Sequence, residues 1–113
     1  MDHEHRAALL ADYLREQARW REIKAEEYPE DARNARSARA LLDAAEYVAQ
    51  LPDDDQRLVR LDRACRYTEL GIFAGGEEVG HVVRLHHFHG PTGSPSQFLD
   101  DLAGAAEKDD ATL

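Results

Sequence analysis

With 113 residues, 42% of them apolar and 33% charged, the chain has the size of one domain, too apolar for a disordered segment and more charged than an average globular one. A formal net charge of -9 opposes a phosphate backbone at long range, so nucleic acid is disfavoured as a partner. No stretch approaches the roughly 18 uninterrupted apolar residues of a membrane span, and Met1 to Leu14 carries acids and histidines where a signal peptide has a basic end and an apolar core, so the expectation is a cytoplasmic protein with no membrane partner.

The first helix is predicted over Glu4–Glu27, with Leu10, Tyr13, Leu14, Gln17, Trp20, Ile23 and Lys24 near one face at steps of three and four. That stripe is ragged. Tyr13 and Trp20 are assigned to the core, with an interface patch as the alternative. Charge interrupts Leu10, Tyr13, Trp20 and Ile23 in a way that suits burial against a second copy, so a homodimer through this helix is expected. Pro29 ends the helix, because proline lacks an amide hydrogen and biases the residue before it away from helical geometry. Glu30 and Asp31 then open a second helix whose acids meet the positive end of its dipole. It should reach Leu51 and bury Ala35, Ala38, Leu41, Leu42, Ala45, Val48 and Ala49.

Pro52 stops the second helix, and Asp53 with Gln56 three positions on has the form of a capping box that starts a third. Leu58, Leu61, Cys65, Thr68 and Ile72 recur along it at alternating steps of three and four, and Gly75-Gly76 ends it at the latest. Cys65 sits in that seam and reads as an inert buried thiol. As the sole cysteine it forms no internal disulfide, which fits a reducing compartment. Residues 77–89 admit two readings. As a helix the segment has acids first, histidines in its last turn and Gly90-Pro91 beyond. As a strand or hairpin arm, Val79, Val82, Val83 and Phe88 would pair with Thr68–Ala74 across Gly75-Gly76. End signals and pattern agree on the helix. For the last helix Ser94 caps, Pro95 takes the first position, Gln97 closes the box, and Phe98, Leu99, Leu102 and Ala106 form the apolar face. Residues 1–107 are thus expected as a single helical domain, and 108–113 as a frayed acidic tail that aids solubility.

Four imidazoles, His81, His86, His87 and His89, fall within nine residues, and Glu78 stands one helical turn before His81. Imidazole is a ligand for several divalent transition metals, and Glu-x-x-His on a helix places a carboxylate and an imidazole on one side, so these five are the candidate metal ligands. Against a site, consecutive histidines on a helix diverge by about 100° and no pair has the four-residue spacing, so decoration of a helix end is the preferred reading. Further acids for such a site are Glu16, Glu22, Glu26 and Glu27. Arg33, Arg36 and Arg39, and then Arg57, Arg60, Arg63 and Arg66, form ridges at steps of three that wrap around their helices, as solvated faces do, with Asp43 and Asp62 as partners. There is no phosphate-binding glycine loop, no Cys-x-x-Cys pair and no nucleophile elbow. The sequence therefore predicts an all-α bundle of four to five helices acting as an interaction or regulatory module without catalytic activity, its partner another protein or a second copy. A metal-binding protein using the histidine cluster is the first alternative, and a small enzyme with a histidine general base the second.

Overall fold

The computed structural model describes residues 5–66, 73, 75–89 and 94–111, and of 84–89 and 110–111 the backbone. Among these residues there is no strand, and five helices follow one another: α1 (Arg6–Glu27), α2 (Ala32–Ala49), α3 (Gln56–Cys65), α4 (Glu77–His89) and α5 (Pro95–Ala111). The all-α bundle is the expected one, and residues 77–89 take the helical alternative.

Helices α1 and α2 form an antiparallel hairpin. Tyr28 closes α1 by donating its amide to the Lys24 carbonyl, and Asp31 caps α2 by accepting the Arg33 amide at 3.1 Å. The facing sides are rich in alanine: Ala7, Ala11 and Ala18 of α1, and Ala38, Ala44 and Ala45 of α2, are all buried. Small side chains let the two backbones approach closely, and this approach sets the rotation of α1. Its buried stripe is Ala7, Leu10, Ala11, Leu14 and Ala18, and Trp20 lies well round the helix from it, so the core assignment of Trp20 is corrected to an exposed position. Tyr13 remains partly buried, its ring edge-on to Phe73 at 4.7 Å between centroids. On α2 the buried stripe is Asn34, Ser37, Ala38, Ala40, Leu41, Ala44, Ala45 and Val48, which turns the expected Ala35, Leu42 and Ala49 outward. Leu42 lies about 100° around the axis from Leu41 on the side away from Ala40 and Ala44, which takes it past the edge of that stripe.

Against this hairpin α3, α4 and α5 close the core, where Leu58, Leu61, Val79, Val83, Phe98, Leu99 and Leu102 meet Leu10, Leu14, Leu41 and Val48. Each such leucine stabilises the fold by roughly 1.5–3 kcal/mol relative to an exposed one. The third helix is shorter than expected. It ends at Cys65, where Arg66 takes a left-handed conformation with φ 53°, so Thr68 and Ile72 do not extend its seam and lie outside the described residues. Cys65 is half-buried at the core's edge, not enclosed. The start of α3 is also shifted, since Asp55, not Asp53, accepts the Arg57 amide at 2.9 Å.

Asp53 serves another helix. It accepts the Ala7 amide at 2.9 Å and so caps α1, whose own His5 contributes no side-chain cap. Arg6 fastens the same junction, reaching the Asp53 carbonyl at 3.0 Å and buried Asp62 at 2.7 Å. Helix α4 is capped in the same way from a distance. Asp109, in the last turns of α5, accepts the Glu78 amide with both carboxylate oxygens, at 3.1 and 3.0 Å. Gly76 makes this possible, because a methyl group there would stand 2.8 Å from Asp109 Cγ. Helix α5 therefore continues past Glu107 to Ala111. At its start Ser94 accepts the Gln97 amide at 3.2 Å as expected, while the Gln97 side chain turns to Asp101 and leaves the box half made.

Candidate functional site

From Arg19 through the turn to Arg33 no residue is buried, and this end of the α1–α2 hairpin is termed the arm. Its apolar side chains are large and exposed: Trp20 at 48%, Ile23 at 46% and Tyr28 at 59%. The Trp20 ring lies under two cations, with the Arg21 guanidinium 4.6 Å and the Lys24 ammonium 5.3 Å from its centroid. Lys24 also bonds Glu27 at 2.9 Å, which raises its pKa above the ordinary lysine value. These contacts hold the indole against its own helix without removing it from water.

Beside the arm, α1 and the start of α4 bound a cleft of about 570 Å³. Tyr13, Glu16, Gln17, Trp20 and Arg21 line one wall, and Gly75, Gly76, Gly80 and Val83 the other. The glycines bring backbone to the cleft, and at Gly75 an added methyl would stand 2.9 Å from Val79 and 3.2 Å from the Tyr13 hydroxyl. One acid and one base oppose each other's charge along the α1 wall, and no histidine or cysteine lines either wall among the described residues.

The five candidate metal ligands all fall on α4. Glu78 sits in its first turn, where Lys108 of α5 lies 3.8 Å from the carboxylate, and His81 is exposed one turn on. The side chains of His86, His87 and His89 lie outside the described residues. Among the described residues no three histidine, cysteine or acidic side chains converge as a metal-holding group. Of the further acids, Glu27 is bonded to Lys24, and Glu16 stands at the cleft.

The arginine ridges divide. Arg33 pairs with Asp31 at 2.7 Å and Arg39 with Asp43 at 3.8 Å, both as solvated surface pairs. Asp62, expected beside the α3 ridge, is taken by Arg6. Arg60 reaches across to Glu107 of α5 at 2.6 Å, and the guanidinium holds that carboxyl below the usual range. Arg57 is largely enclosed and joins three helices: Asp55 at the start of α3, Tyr47 of α2 at 2.7 Å, and the Ser96 hydroxyl of α5 at 2.8 Å. The Ser96 hydroxyl and the Arg57 guanidinium together hold the Tyr47 phenol below its ordinary pKa. No sequence pattern announces this cluster, since its members lie up to 49 positions apart and only the packing of α2 on α5 brings them together.

The fold and the arm define a class, an all-α helical bundle whose helical hairpin ends in an exposed arm. No protein-family model, curated protein or solved structure matches the chain. Among the described residues no helix is long and apolar enough to cross a membrane.

Proposed function

We propose that the protein is a non-catalytic interaction module that engages a protein partner through the arm of the α1–α2 hairpin. One observation carries this reading: Trp20, Ile23 and Tyr28 stand exposed together on a segment in which no residue is buried. Single exposed apolar residues are ordinary, but a tryptophan, an isoleucine and a tyrosine within nine positions are the residues from which interface anchors are made. The fold does not need them. The core is complete without the arm, and the arm's own two helices are held by alanines nearer the bundle.

Site-specific photo-crosslinking in cells tests the reading. A photoreactive residue at Ile23 should give a discrete adduct, and one at Gly104 should not, although nothing lies within 4 Å of a Cβ there and the residue is also exposed. Equal labelling from both positions, or none from Ile23, would remove the arm as a docking element.

A further inference from the structure

We draw no further inference here: the strongest candidate, the cleft between α1 and the start of α4 beside the exposed Trp20, is lined by no buried polar side chain among the described residues, and nothing in the structure shows what covers it.

Discussion

Arg57 shows how much one side chain contributes when three helices converge on it. Asp55 accepts from its guanidinium and from the Arg57 and Leu58 amides, and these bonds, the Arg57 side chain first, hold the carboxyl below the usual aspartate range. A carboxyl whose pKa is lowered by folding contributes stability that is present above its unfolded value, about 3.9, and is lost as pH falls through the folded value. Stability measured by urea unfolding should therefore decline below about pH 5, and Asp55→Asn, which keeps a capping side chain but removes the charge, should flatten that decline. An unchanged slope would show that the Asp55 charge is not stabilising. Glu107 beside Arg60 has the same sign. At neutral pH the contrast between core and arm is sharper: Leu61→Ala should cost about 2–5 kcal/mol, whereas Trp20→Ala in the monomer should stay within about 0.5 kcal/mol. Comparable losses at both positions would contradict the burial pattern of α1.

Helix ends are where sequence and structure part most clearly. The existence and type of the helices were legible, because apolar spacing and the punctuation of Pro29, Pro52 and Ser94-Pro95 act within a few residues of the chain. Which acid caps which helix was not legible, since a carboxylate bonds whichever free amide tertiary packing brings to it. Asp53 has the local form of a cap for α3 yet serves α1, and Asp109, read as part of a solubilising tail, serves α4. The rotation of α1 was misread for a related reason: the large apolar Trp20 outweighed Ala11 and Ala18, although only small residues allow the approach that α2 makes. The candidate site was legible in part. Raggedness of the first helix predicted that its apolar residues are not all enclosed, and the exposed ones are Trp20 and Ile23, while Leu10 is fully buried. Asp109→Ala should cost about 1 kcal/mol and accelerate hydrogen exchange at the α4 N-terminus more than elsewhere. Uniform acceleration would show that Asp109 supports the whole fold instead of that end. On the same helix the histidines give a separate test. Zinc uptake by tag-free protein should be weak and non-stoichiometric, and His86→Gln/His89→Gln should keep its helicity. One zinc per chain, lost in that double variant, would establish a metal centre there.

The whole molecule measures 45 × 29 × 24 Å, and α1, 22 residues and about 33 Å long, spans most of its greatest dimension. Concentration should therefore act on one end of the protein. If two copies join through α1, amide exchange across residues 19–33 should slow as concentration rises, while α3 and α5 stay unchanged. Protection that is independent of concentration would speak against assembly through the arm. The anchoring of α1 has a mechanical consequence as well. Its first turn is clamped by Arg6 to Asp62 and by Ala7 to Asp53, its middle is packed through Leu10, Ala11, Leu14 and Ala18, and no residue of its last two turns is buried, so its hold on the bundle weakens towards the tip. A load at Trp20 meets no hinge on its way to the base, because Arg6–Glu27 is one unbroken helix. Whatever takes hold of the tip therefore pulls on a helix whose far end is pinned to the α2–α3 turn, and removing Arg6 would loosen that end at a point far from where the helix is grasped.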